Sequence, residues 1–151
     1  MTFLGERLDQ LKEILEGELS YDIVSRTIYS TDASDYKEMP LAVAWPKGIS
    51  DLKKILRLAS EEGIGLTMRA AGTSLAGQVV SSGIIADVSR HMNRIIEFNK
   101  NEKWVRVEPG VVLDELNNFL KPSGLFFAPE TSTSNRCCLG GMVGNNACGS
   151  H

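Results

Sequence analysis

Two stretches rich in glycine and short polar side chains could do chemistry through their backbones. Residues 69–78 read Arg-Ala-Ala-Gly-Thr-Ser-Leu-Ala-Gly-Gln, and residues 139–149 read Leu-Gly-Gly-Met-Val-Gly-Asn-Asn-Ala-Cys-Gly. Glycine and alanine remove side-chain bulk, so main-chain N–H groups can line a concave surface that suits a phosphate. Thr73, Ser74, Asn145 and Asn146 add short neutral donors. Gly72 and Gly77 have the spacing of a phosphate-binding P-loop, but Gln78 and Val79 stand where that loop needs Lys and Ser or Thr. Nucleotide hydrolysis is therefore disfavoured, and the first segment holds no G-x-G-x-x-G either. A single loop of this kind is also compatible with plain turns. The second shifts the balance toward one large shared ligand.

Other reactive residues say less. Cys137, Cys138 and Cys148 lack the paired C-x2-C spacing of zinc sites, and three thiols are too few for most iron–sulfur clusters. They read as small residues filling a tight loop, and no metal site is expected. His91 and His151 are isolated along the chain. Glu130, Thr131, Ser132 and Thr133 form either a turn or a set of donors converging on the same ligand.

These segments need elements to hold them. Residues 3–16 place Leu4, Leu8, Leu11 and Leu15 on one face of an amphipathic helix. Residues 29–40 are polar and read as an irregular connector. Residues 41–45 form a short buried strand closed by Pro46. A helix follows, with Ser50 as its N-cap and Leu52, Ile55, Leu56 and Ala59 at helical spacing, and it stops at Gly63. Residues 65–69 make the next strand, so this strand–helix–strand unit should be parallel. The first glycine segment leaves that strand's carboxyl end, where open α/β sheets bind ligands. Residues 83–89 give a third strand, residues 94–98 and 104–108 a hairpin, residues 111–120 a helix stopped by Pro122, and residues 124–129 an extended run.

The chain has 151 residues, an apolar fraction of 42% and a net charge of −3. That is the composition of a globular domain with a real core. No basic stripe exists, so nucleic acid is a poor partner. No apolar run approaches the roughly 20 residues of a membrane-spanning helix. The N-terminus lacks a signal-peptide pattern, and the odd cysteine count argues against a secreted disulfide scaffold. The expected location is cytoplasmic.

Taken in order, the motifs resemble the N-terminal part of an FAD-linked oxidase with a PCMH-type FAD-binding domain. The branch is that of D-lactate dehydrogenase and the glycolate-oxidase flavin subunit, within the vanillyl-alcohol-oxidase superfamily. The resemblance rests on Tyr-Ser-Thr-Asp-Ala-Ser at 29–34, Pro46, residues 69–78, Asp-Val-Ser at 87–89 with Met92 and Asn93, and Val-Glu-Pro-Gly at 107–110. It continues through Pro-Glu-Thr-Ser-Thr at 129–133 and Cys-Cys-Leu-Gly-Gly-Met-Val-Gly-Asn-Asn-Ala-Cys-Gly at 137–149. The last two are most similar to long members fused to a C-terminal iron–sulfur domain.

The resemblance implies an α+β fold in which FAD lies between two subdomains. The first carries a small parallel βαβ sheet; the second is antiparallel and incomplete. The expected division is an N-terminal helical segment at 1–28, a first FAD-binding subdomain at 29–102 and a truncated second one at 103–151. Gly72, Thr73, Ser74, Gly77 and Gln78 would cradle the pyrophosphate, with Arg69, Ala70 and Ala71 also among the cofactor-binding residues. Pro129, Glu130, Thr131, Ser132, Gly140, Gly141, Gly144, Asn145, Asn146, Ala147 and Gly149 would line the rest of the cofactor's path. Ala70 and Ala71 replace frequent glycines, which is harmless only where φ is negative. The first loop has no histidine for a covalent flavin link, so non-covalent FAD is expected, and any iron–sulfur cluster belongs to a C-terminal part beyond residue 151.

By resemblance the parent is an FAD-dependent dehydrogenase or oxidase of a small 2-hydroxy acid, of the D-lactate or glycolate type, passing electrons to a separate acceptor, through which any membrane association would run. Its catalytic groups would fall outside residues 1–151, so no catalytic residue is assigned. The fragment alone is expected to be inactive, to hold FAD weakly, and to expose apolar surface around Leu125, Phe126 and Phe127. The alternative is a stand-alone nucleotide-binding module without redox activity.

Overall fold

A computed structural model describes residues 3–149; His151 lies outside them. The chain opens with helix α1 (Phe3–Ile14), which buries Leu8 and Leu11. Strand β1 (Glu18–Ser20) and helix α2 (Ile23–Ile28) come next. The spacing of apolar residues signals neither. β1 is three residues long and buries only Leu19, and α2 buries none of its residues. What starts α2 is local: the Asp22 carboxylate accepts from the Val24 and Ser25 amides, both at 2.9 Å.

Strand β2 (Ala42–Trp45), helix α3 (Ile49–Glu61) and strand β3 (Leu66–Arg69) form the expected βαβ unit. The two strands are parallel but not neighbours. Strand β4 (Ile84–Asp87) lies between them, so the sheet runs β1–β2–β4–β3. Ala42 pairs with Ile84, Leu66 with Ile84 and Arg69 with Asp87, and β1 joins β2 antiparallel. β2 and β4 are buried along their whole length, as central strands of a covered parallel sheet should be. Leu8, Leu11 and Leu15 pack with Ala42, Ala44, Ile55, Leu58 and Ile84 into the first core.

Ser50 is not the cap of α3. Gly48 holds that position without a side-chain bond, and the neighbouring Asp51 does the bonding instead. Its carboxylate accepts from the amides of Glu16 (3.0 Å), Gly17 (2.9 Å) and Lys47 (3.0 Å). It therefore ties the end of α1 to the start of α3, and it is only 1% exposed. Burial alone would raise its pKa, but the three amides and Lys54 outweigh burial and hold it below the usual carboxylate value. In Asp51→Asn an amide NH2 would face one of these N–H donors, and we expect a loss of about 2–3 kcal/mol at neutral pH. A depressed folded pKa gives stability that is complete above about pH 4 and lost as pH falls through the folded value. The gap between wild type and variant in urea melts should therefore narrow below pH 4.

Strands β5 (Ile95–Asn99) and β6 (Trp104–Val107) form the expected hairpin, with a register shift between Ile95 and Glu97. The Arg94 guanidinium grips Glu108 at 2.7 Å and the Arg94 amide donates to the same carboxylate at 2.9 Å, which closes the hairpin's open end. Helix α4 (Leu113–Leu120) passes into a single 3-10 turn (Lys121–Ser123), so Pro122 tightens the helix end rather than following it. Residues 124–129 carry no regular structure. Leu125 and Phe127 pack onto the second core with Val111, Leu113, Leu116, Leu120 and Met142. Of the three residues expected at an apolar surface, Phe126 alone is exposed, at 73%. Helix α5 (Leu139–Gly144) lies within the second glycine segment. Among the described residues no helix is long and apolar enough to cross a membrane.

Candidate functional site

The site forms where the two cores meet. Arg69 and Asp87 end adjacent parallel strands, and the Val88 amide donates to the Arg69 carbonyl at 2.9 Å. The first glycine segment leaves β3 there. Gly72 and Gly77 have φ of +66° and +70°; Ala70 and Ala71 are not among the residues with positive φ. The two alanines thus sit without strain, and the left-handed turns fall on glycines.

The second segment approaches from the other core. The Leu139 amide donates to Val111 O (2.9 Å) and the Gly140 amide to Pro109 O (2.8 Å), which pins the start of α5. An ideal Cβ on Gly141 would stand 4.0 Å from Ala70 Cβ. One side-chain bond joins the two segments directly: Gln78 Nε2 donates to Asn145 Oδ1 at 2.9 Å.

Between them lies a cavity of about 450 Å3, within the range of small-molecule sites. Of the residues expected from sequence, Arg69 to Ser74, Gln78, Thr131, Gly140, Gly141, Gly144, Asn145 and Ala147 line it. Gly77, Pro129, Glu130, Ser132, Asn146 and Gly149 do not line it. Gly77 turns against the Tyr36 ring, Gly149 lies against Glu130, and the Asn146 amide closes α5 on Val143 O at 3.1 Å.

Thr133, one of the candidate donors, also lines the cavity, whereas sequence reasoning missed its apolar part, made by Leu52, Met68, Val79, Val88, Pro109 and Met142. Val88 had a usable signal, because it directly follows the carboxyl end of a parallel strand. Cys137 and Cys138 are buried, as a packing role requires, but both also line the cavity. Burial pushes the Cys138 thiol up to about 11, so it faces the cavity as a neutral S–H. Cys137 Sγ lies 2.9 Å from the Thr131 hydroxyl.

Among the described residues, no carboxylate lines the cavity and Arg69 is the one charged residue that does. The Arg69 guanidinium is already placed, donating to Thr31 O at 2.7 Å and lying 5.0 Å from the Tyr29 ring centre. The amides of Gly72, Thr73 and Ser74 donate to no other described residue. Consecutive unspent N–H groups, nearby hydroxyls, one fixed cation and no acid make a donor set for an anionic ligand. The adjoining apolar wall suits an aromatic ring system. A dinucleotide with a pyrophosphate fits this chemistry.

Residues 40–151 match the FAD binding domain family, and the chain belongs to that family. Across 97% of its length it is 47% identical to D-2-hydroxyglutarate dehydrogenase of Haemophilus influenzae, of which it spans 15%. It is 31% identical to the glycolate oxidase subunit GlcD of Bacillus subtilis over 82% of this chain and 27% of that one. The structure of 4-ethylphenol oxidase from Gulosibacter chungangensis superposes with a TM-score of 0.68 at 25% identity, covering 80% of this chain and 25% of that one.

Proposed function

We propose that this chain provides the FAD-binding part of a dehydrogenase acting on a small 2-hydroxy acid. The observation that carries this is the joining of both glycine segments, through Gln78 and Asn145, around one cleft that has unspent amides and, among the described residues, no acid. In this reading the amides of Gly72 to Ser74 and the Thr73 hydroxyl hold the pyrophosphate, with Arg69 behind them. Gly140, Gly141, Gly144 and Asn145 hold the opposite wall. Pro129, Glu130, Ser132, Asn146, Gly149 and Gly77 support these walls from outside the cavity. Bound FAD supplies a two-electron acceptor for hydride from the hydroxyl-bearing carbon of the substrate. The chain's own residues bind and orient it, and none is assigned to the chemical step.

Among 2-hydroxy acids, a D-2-hydroxyglutarate-type dicarboxylate is favoured over D-lactate or glycolate. The 47% relative is named for the former, and a glycolate relative stands at 31%. Electrons then pass to a separate acceptor. The cofactor part is tested by equilibrium titration of the 151-residue chain with FAD and with ADP. FAD should bind at least about tenfold more tightly, because the apolar wall contributes only to the flavin. Equal affinities would favour a plain nucleotide-binding module.

A further inference from the structure

The polar connector between α2 and β2 is not part of the cavity wall, yet it runs along the back of the first glycine segment. Besides the Arg69 guanidinium over the Tyr29 ring, three contacts join them. The Ala33 amide donates to the Gly72 carbonyl at 3.1 Å. The Thr31 carbonyl accepts from Arg69 Nη1 at 2.7 Å. The Tyr36 ring occupies the space that a Cβ on Gly77 would enter, 2.7 Å away.

The connector is itself anchored. The Tyr29 hydroxyl donates to Asp87 Oδ2 at 2.6 Å and accepts from Trp45 Nε1 at 2.8 Å. Ser30 is fully buried, its carbonyl accepting from the Glu38 amide at 2.9 Å. Asp32 holds the turn through the Ser34 amide at 2.8 Å. This is a strap, fixed to the sheet at one end and closed on itself at the other.

We propose that the strap orients the first glycine segment's amides toward the cofactor's phosphates, and that the Ala33 N–H is the positioning contact. The inference rests on the FAD reading above. In a planar trans peptide, the carbonyl and the following N–H point in opposite directions, and every described peptide is trans. A Gly72 carbonyl held on the strap side by Ala33 therefore puts the Thr73 N–H on the cavity side. Gly72 has no Cβ to resist rotation of that peptide. Released from Ala33, the peptide can turn over and present a carbonyl oxygen to the phosphates in place of a donor.

The test compares the affinity of the full 151-residue chain for FAD and for riboflavin, which lacks the phosphates. Ala33→Pro removes the N–H; Ala33→Gly keeps it. The expected result is a tenfold or greater loss of FAD affinity in Ala33→Pro, an unchanged riboflavin affinity, and an Ala33→Gly variant within about threefold of wild type. No loss, or an equal loss for both ligands, overturns the proposal. Where Ala33→Pro fails to fold, amide NMR of the wild type decides. The Thr73 N–H should shift on adding FAD but not riboflavin, and a Thr73 signal indifferent to FAD overturns the strap's role. A wild-type chain that binds FAD no better than riboflavin overturns the FAD reading itself, before any variant is compared.

Discussion

Alanine at position 110 should lower the free energy of unfolding by about 3 kcal/mol or more, read as a shifted midpoint in urea denaturation. An ideal Cβ there would stand 2.6 Å from Met92 O, 2.7 Å from Val88 O and 2.8 Å from Ser89 Cα. All three are backbone atoms, so no side chain can swing aside. The Gly110 amide also donates to Met92 O at 2.7 Å, which fixes the two segments at the distance that excludes a methyl group. This contact is the joint between the cores, since residues 88–92 follow β4 and Val111 opens the second core. Making room means separating the two halves of the cavity, so FAD affinity should fall together with stability. Gly48→Ala is the control. A Cβ at Gly48 meets nothing within 4 Å and its φ of 179° is extended backbone, so that change should cost only what alanine loses to glycine as an N-cap, about 1 kcal/mol or less. An unshifted midpoint in Gly110→Ala would mean that the joint yields, and that the cores are held elsewhere.

The elements legible in the sequence are those whose stability comes from one buried face. α1, α3 and α4 announce themselves by leucines and isoleucines that end up in the two cores, and the β5–β6 hairpin by its polar turn. α2 buries nothing, so no periodicity marks it and only Asp22 could have done so. α5 escaped for the opposite reason. Three of its six residues are glycine, a poor helix former, and burial of Leu139 and Met142 supplies what propensity does not. The insertion of β4 between β2 and β3 is a topological choice that parallel crossovers leave open.

The site divides along the same line. Backbone donors are recognisable because glycine, serine and threonine are the residues that expose them, and this is why most of the two segments face the cavity. The apolar wall is not recognisable. Val88 and Met142 look like any core residue until the cores are brought together. The strap was the least legible part, because its Ala33 and Thr31 contacts use main-chain atoms that any residue carries.

Thr73→Asp should weaken FAD binding roughly fiftyfold. Thr73 lines the cavity between Gly72 and Ser74, and an aspartate there places a carboxylate beside the phosphates. Two unit charges about 4 Å apart repel by about 4 kcal/mol at an effective dielectric of 20. Solvent entering the open cleft reduces this to about 2–3 kcal/mol, and about 1.4 kcal/mol is a tenfold change in affinity. Arg69 cannot turn to neutralise the new charge without giving up the Thr31 carbonyl and the Tyr29 ring. Thr73→Val, which removes the hydroxyl but adds no charge, should cost no more than about tenfold. Raising the ionic strength should recover part of the loss in Thr73→Asp and little in Thr73→Val, because only the first is a charge effect. Riboflavin, having no phosphates, should bind both variants as it binds wild type. If Thr73→Asp instead binds FAD normally, the phosphates rest against the second glycine segment, and the first serves the ring.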